Sequence, residues 1–315
     1  MKRRALLSLS ASAPLFAAGC AATSAPIASS PSSEAAPPAP ALQGTGDLGV
    51  VVERAKGALT LVNTSRRDAI GRVEGLGDLS HASVVFSRDE RFAYVFGRDG
   101  GLTRVDILTQ RITHREMQAG NSIGGAISAD GSLVVAQNYQ PGGIKVFDAG
   151  TLELLSDVPA AMADGKRSRV VGLADLPERR FIYSLFDAEA ICIADCSKPR
   201  QPSITTLQGI GRQPYDALVS PNGRHYIAGL FGEDGLAMVD LWDEQPQARR
   251  ILAGYGRGQQ PLPVYKMPHL RGWAMAGRHA YLPAIGRHEV LVVDTGSWQE
   301  VARIPVAGQD RKSVV

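Results

Sequence analysis

Gly235-Leu236-Ala237-Met238-Val239-Asp240 is one copy of a segment that runs through the whole chain. An apolar run closed by an acidic or amide residue stands at Leu59–Asn63, Leu102–Asp106, Gly143–Asp148, Ala190–Asp195, Gly235–Asp240 and Glu289–Asp294. Successive closing residues lie 43, 42, 47, 45 and 54 positions apart. A strand period in the forties, with no helical pattern, points to propeller blades of about four strands each. One blade cannot bury both of its faces, so neighbours must stack around a central axis. The funnel along that axis is where function usually sits.

A second repeat supports the first. Ser87-Arg88-Asp89-Glu90-Arg91-Phe92, Ser128-Ala129-Asp130-Gly131-Ser132-Leu133 and Ser220-Pro221-Asn222-Gly223-Arg224-His225 fall between the closing runs. Weaker copies stand at Leu176-Pro177-Glu178-Arg179-Arg180-Phe181 and Met275-Ala276-Gly277-Arg278-His279-Ala280. Asp or Asn before Gly supplies the positive φ of a tight hairpin turn, and the residues after it alternate with period two. Five such turns thus accompany six runs read as closing strands. From Gly44 to Val306 no sustained 3.6-residue apolar stripe appears. The expected fold is an all-β propeller of about six blades over residues 44–308.

The N-terminus reads as an address. Lys2-Arg3-Arg4 is a positive head, Ala5 to Ala18 a short apolar core, and Ala17-Ala18-Gly19-Cys20 its end. A core this short belongs to a signal peptide rather than a membrane span. Small residues directly before Cys20 predict lipid attachment there, with plain secretion as the other reading. Residues 21–43, rich in Ala, Pro and Ser, read as a disordered tether. The expected place is therefore the periplasm, on a membrane-anchored lipoprotein.

Formal net charge is +3, and the first twenty residues hold three bases and no acid, so the remainder is neutral. A neutral domain of scattered charge has no footprint for nucleic acid. Cys192 and Cys196 read as core packing plus a turn residue, with a disulfide as the alternative. No nucleophile elbow, His-Glu-x-x-His or P-loop is present, and Gly254-Tyr255-Gly256-Arg257-Gly258 has no helix after it. The histidines remain. His225 and His279 read as solvated turn residues, and His114 and His288 as surface groups. His81 and His269 each precede a strand in a loop that would reach the axis, as ligands or as packed residues.

At this point the chain resembles a family. His81-Ala82-Ser83-Val84-Val85-Phe86-Ser87-Arg88-Asp89-Glu90-Arg91-Phe92-Ala93-Tyr94-Val95-Phe96-Gly97-Arg98-Asp99-Gly100 is similar to the first full blade of the heme d1 domain of cytochrome cd1 nitrite reductase. From roughly Gly46 to Val306 the chain resembles the NirF family, propeller relatives required to make heme d1. The resemblance implies that His81 is the proximal ligand of heme iron. It implies that Pro268-His269 matches a distal Pro-His, and that Tyr215 stands where the reductase has its second distal histidine. Without that pair, and without a Cys-x-x-Cys-His motif for an attached cytochrome, nitrite reduction fits poorly.

By the same resemblance Arg98, Arg169, Arg212 and Arg271 lie in or beside pocket-forming loops, where guanidinium can meet tetrapyrrole carboxylates. Asn121 and Tyr139 are further cofactor-binding candidates, expected in loops, and Tyr215, Asp216 and His269 are the candidate proton-handling, catalytic groups. The implied ligand is heme d1 or a late precursor, as substrate, product or cargo. The implied partners are other heme d1 biosynthesis proteins and cd1 nitrite reductase. Three functions stay open: an enzyme dehydrogenating a propionate side chain, a non-catalytic carrier, and a protein-interaction platform. The family's propeller has eight blades, so residues 44–306 are expected to form a shortened ring, with 309–315 a tail foreign to the fold.

Overall fold

The computed structural model describes residues 44–255, 273–284 and 288–307. The expectations for the signal segment, Cys20, the tether, His269, Arg271 and the 309–315 tail fall outside them. The described chain is a β-propeller of six antiparallel sheets, its one helical turn being a short 3-10 turn at Thr45–Asp47. Blade one holds β1 (Leu48–Glu53), β2 (Ala58–Asn63) and β3 (Asp68–Val73). Blade two holds β4 (Ser83–Phe86), β5 (Phe92–Phe96), β6 (Gly101–Asp106) and β7 (Arg111–Met117). Blade three holds β8 (Asn121–Ile127), β9 (Leu133–Gln140), β10 (Ile144–Asp148) and β11 (Leu154–Val158). Blade four holds β12 (Val170–Leu176), β13 (Arg180–Leu185), β14 (Ala190–Asp195) and β15 (Ser203–Leu207). Blade five holds β16 (Pro214–Val219), β17 (His225–Leu230), β18 (Leu236–Asp240) and β19 (Ala248–Ile251). Blade six holds β20 (Ala274–Ala276), β21 (His279–Ala284), β22 (Glu289–Asp294) and β23 (Gln299–Pro305).

The runs read as closing strands are third strands. A fourth follows each, so Val301–Val306 belongs largely to a strand that starts at Gln299. By that phasing β1 occupies the second position of its blade, and the three strands of blade one lack an innermost member among the described residues.

The two sequence repeats are two hydrogen-bond devices. Each closing Asp or Asn turns its side chain back onto the next hairpin. Asp148 Oδ1 accepts from the Gly150 and Thr151 N–H groups at 2.9 and 2.8 Å, and Asp106, Asp195, Asp240, Asp294 and Asn63 make the same bond. Its other oxygen receives an arginine from the neighbouring turn: Arg91 on Asp106, Arg224 on Asp240 and Arg278 on Asp294. In the Ser-x-Asp/Asn turns the serine hydroxyl donates to the side-chain oxygen of the Asp or Asn two residues on. It also accepts the N–H five residues on, as Phe92 to Ser87, Leu133 to Ser128 and His225 to Ser220. Both devices satisfy turn backbone groups that a hairpin would otherwise leave open.

The core lies between blades. Five apolar clusters fill the five successive gaps, so central strands are buried on both faces and read as unbroken apolar runs. Phe181 and Tyr183 of blade four, for instance, pack onto Val135, Ile144 and Val146 of blade three. Losing one such ring, as in Phe181→Ala, costs about 3–5 kcal/mol. Cys192 and Cys196 are both buried in that cluster as free thiols, with no disulfide between them. Burial raises both, Cys196 to about 12, so neither thiolate forms near neutrality.

His225 is not the solvated turn residue its position suggested; it is only 9% exposed. Its Nδ1 accepts the Trp298 Nε1–H at 3.3 Å, joining blades five and six, and the rings meet edge to face at 5.5 Å. Burial lowers its pKa, with Arg224 and Arg249 adding to the effect and Asp240 opposing it. An unfolded histidine therefore takes up a proton before the folded one, and stability falls as pH drops below the ordinary histidine value. Between pH 7 and 5 the wild type should lose a few degrees more in Tm than His225→Phe, measured by circular dichroism. Equal losses would remove this contact as a source of acid sensitivity.

Candidate functional site

The innermost strands β4, β8, β12 and β16 lie side by side around the axis. Their starts, and the ends of the second strands, share one mouth because each blade is an antiparallel meander. His81 comes two residues before β4, Arg169 directly before β12, and Tyr215 and Asp216 open β16. Arg54 follows β1, Arg98 and Phe186 follow β5 and β13, and Phe231 follows β17.

The loop carrying His81 is pinned by the Gly97-Arg98-Asp99 turn. Asp99 Oδ2 accepts the Asp78 N–H at 3.2 Å, the Arg98 N–H reaches Asp78 O at 2.7 Å, and Arg115 pairs with Asp99 at 3.1 Å. Gly97 permits this approach: a Cβ there would stand 2.6 Å from Asp99 Oδ1 and 3.1 Å from Asp78 O. Asp99 is thus committed to structure. His81 itself is exposed at the mouth, yet close packing, and then Arg98 and Arg54, hold its pKa below the ordinary 6.5. Asp216, from blade five, acts on the same imidazole in the opposite sense, so the fold brings the two within electrostatic reach. At neutral pH the imidazole keeps a free lone pair.

Opposite stands an aromatic wall. The hydroxyls of Tyr139 and Tyr215 share a hydrogen bond at 2.5 Å. Tyr215 meets Phe186 edge to face at 5.8 Å, and Phe231 lies 5.9 and 6.2 Å from Phe186 and Tyr215. The Arg98 guanidinium sits 6.0 Å from the Tyr139 ring, a weak cation–π approach. Burial, then the bond to Tyr215, drives the Tyr139 pKa far above 10, so its hydroxyl stays protonated and can only pass a proton on.

The candidate arginines divide. Arg169 is bound on two atoms to Asp187 and lies 4.2 Å over Phe186. Arg212 has its N–H on Glu233 at 2.8 Å and a loose ion pair with that carboxylate at 3.9 Å. Arg98 makes no ion pair among the described residues, although its charge helps hold the Asp78 carboxyl low, and Arg54, which sequence reasoning did not single out, makes none either. Its only sequence signal was its place just after a strand that enters the mouth. Asn121 and Tyr139 lie in β8 and β9, not in loops, because the inner strands run up to the mouth itself. Asn121 Oδ1 is buried there with no hydrogen-bond partner among the described residues. Those residues hold no group of three or more His, Cys, Asp or Glu placed for a metal ion.

The geometry meets known proteins at several points. Residues 43–311 match the cytochrome D1 heme domain family. Protein NirF of Stutzerimonas stutzeri is 63% identical over 85% of this chain and 69% of its own length. Protein NirF of Pseudomonas aeruginosa is 58% identical over 86% and 69%. Among solved structures, dihydro-heme d1 dehydrogenase NirN in complex with DHE superposes with a TM-score of 0.70 at 26% identity. That match covers 87% of this chain, which spans 57% of the NirN chain.

The electrostatics of the mouth predict a titration. His81 should titrate below 6.5, Arg98→Ala should raise it, and Asp216→Asn should lower it further. Imidazole resonances followed by NMR against pH test this; a wild-type value at or above 6.5 removes the free lone pair from the argument.

Proposed function

Because the chain belongs to the NirF family of cytochrome D1 heme domain proteins, we propose that it acts in heme d1 biosynthesis by holding a late d1-type tetrapyrrole at the His81 mouth. The observation that carries this reading is the neutral, exposed imidazole acted on by the Arg98 and Arg54 guanidiniums, neither of which makes an ion pair among the described residues. A late tetrapyrrole is a flat apolar disc edged with carboxylates, and it carries iron that takes an imidazole nitrogen. The fit is chemical on each count. His81 offers the nitrogen, Arg54 and Arg98 offer paired donors to carboxylates, and Tyr215, Phe186 and Phe231 offer an apolar wall.

Side-chain oxidation is the chemistry these groups would serve. Converting a propionate to the unsaturated acid removes two protons and two electrons. Tyr215, Asp216 and His269 are the groups assigned to the protons, with Tyr139 relaying through its bond to Tyr215; a redox partner takes the electrons. The partners we assign are other heme d1 biosynthesis proteins and cd1 nitrite reductase. The dihydro-heme d1 dehydrogenase NirN offers a precedent for such a fold acting on this class of molecule.

Titration with d1-type tetrapyrroles, followed by absorption, tests the reading. His81→Ala should change the bound spectrum or abolish binding. His269→Ala should keep binding and lose maturation of the reductase in cells. An unchanged His81→Ala spectrum sinks the axial assignment, and a protein that leaves added heme d1 spectrally unaltered supports the interaction platform. Binding of precursors without turnover, electron acceptor supplied, supports the carrier.

We also place the protein in the periplasm, anchored through Cys20. Labelled palmitate should enter the wild type and not Cys20→Ala, which should appear in the soluble fraction; equal label in both overturns the anchor.

A further inference from the structure

The end of the propeller opposite the His81 mouth carries a groove of about 740 Å³ between blades four and five. It lies where the first hairpin turn of each blade and the loop after each third strand emerge, as Gly223 and the 241–247 loop among its lining show. Its floor is apolar, from Leu176, Ile193 and Leu241. Over it stands Trp242, 66% exposed, whereas Trp273 and Trp298 are buried. Leaving so large a ring in water is unfavourable unless something covers it.

The charges lining the groove are unequal. Asp195, Asp243 and Glu244 face Arg180 as the one lining base, and Arg180 Nε is taken up by Pro177 O at 3.3 Å. Asp243 and Glu244 have no ion pair among the described residues. Arg224 lies 5.4 Å from the Trp242 ring centre, but its own charge is matched by Asp240 at 2.7 Å. The groove is therefore net negative beside an aromatic face, the combination that attracts ammonium or guanidinium groups.

The backbone sets the shape of the guest. β15 is the outermost strand of blade four, so one edge of it carries unpaired N–H and C=O groups. Its Ser203 and Thr205 line the groove. An extended segment laid along that edge would pair with backbone and send every second side chain toward Trp242 and the acids.

We propose that this groove docks an extended, basic segment of a partner polypeptide, with lysine or arginine at alternate positions. The site is separate from the tetrapyrrole mouth, and the inference stands whether or not that mouth binds a tetrapyrrole. The partner surface thus sits on one end of the propeller while the His81 mouth at the other stays open.

The test uses the full chain and a labelled pentapeptide of alternating lysine and valine, capped at both ends, followed by fluorescence anisotropy. Its counterpart has glutamate for lysine. The lysine peptide should bind saturably, more weakly as salt rises, and the glutamate peptide should not bind. Trp242→Ala, and Asp243→Asn with Glu244→Gln, should each weaken binding by roughly tenfold. Circular dichroism and the His81 titration confirm that both variants remain folded. Equal binding of both peptides, no saturation by millimolar peptide, or affinity unchanged in both variants overturns the proposal.

Discussion

One side-chain oxygen acceptor per blade, a carboxylate in five and the Asn63 amide in blade one, holds this molecule in shape. The Asp or Asn that ends each third strand receives the backbone of the next turn and, in three blades, an arginine from the turn beside it. Asp106, Asp294 and Asn63 do this from positions nearly closed to water, where an unpaired charge or amide would be costly. The arginine and the turn N–H groups offset that cost and fix the angle at which the fourth strand leaves. Because every blade repeats the device, the blades share one shape and can stack with their innermost strands around one axis.

Stacking then decides what happens at the two ends of the axis. The apolar clusters between blades leave little freedom to the inner strands, so their starts converge from blades two, three, four and five on one mouth. There His81 and Asp216, 135 positions apart in sequence, come within electrostatic reach. The opposite end collects the first hairpin turns and the loops after the third strands. Their lengths differ between blades, and the long 241–247 loop makes the acidic groove beside Trp242.

Charge accounting separates the arginines of the mouth by role. Arg115 fastens the Gly97-Arg98-Asp99 turn, Arg169 is held by Asp187, and Arg250 and Arg212 share Glu233. Arg54 and Arg98 are left to act on whatever enters, and on His81. A ligand edged with acids is thus met on the blade one and two side by two guanidiniums that make no ion pair among the described residues. On the side of blades three to five it meets aromatic rings and the hydrogen-bonded hydroxyls of Tyr139 and Tyr215.

The sequence alone determined the all-β class, the blade period and the turn positions, because those rest on local hydrogen bonds written in residues two to five apart. It also marked His81, since a histidine just before a strand in a loop toward the axis is a local pattern. It did not determine strand rank: an apolar run ending in Asp reads the same as third or fourth strand until its partners are known. It misjudged His225, whose burial comes from Trp298, 73 residues away. It placed Tyr139 and Asn121 in loops, for a strand's length depends on the neighbour it pairs with. Nor could it tell a free arginine from a neutralised one, or find Arg54. That distinction is a matter of which carboxylate lies within about 4 Å, and only the packing of one blade on the next sets that distance.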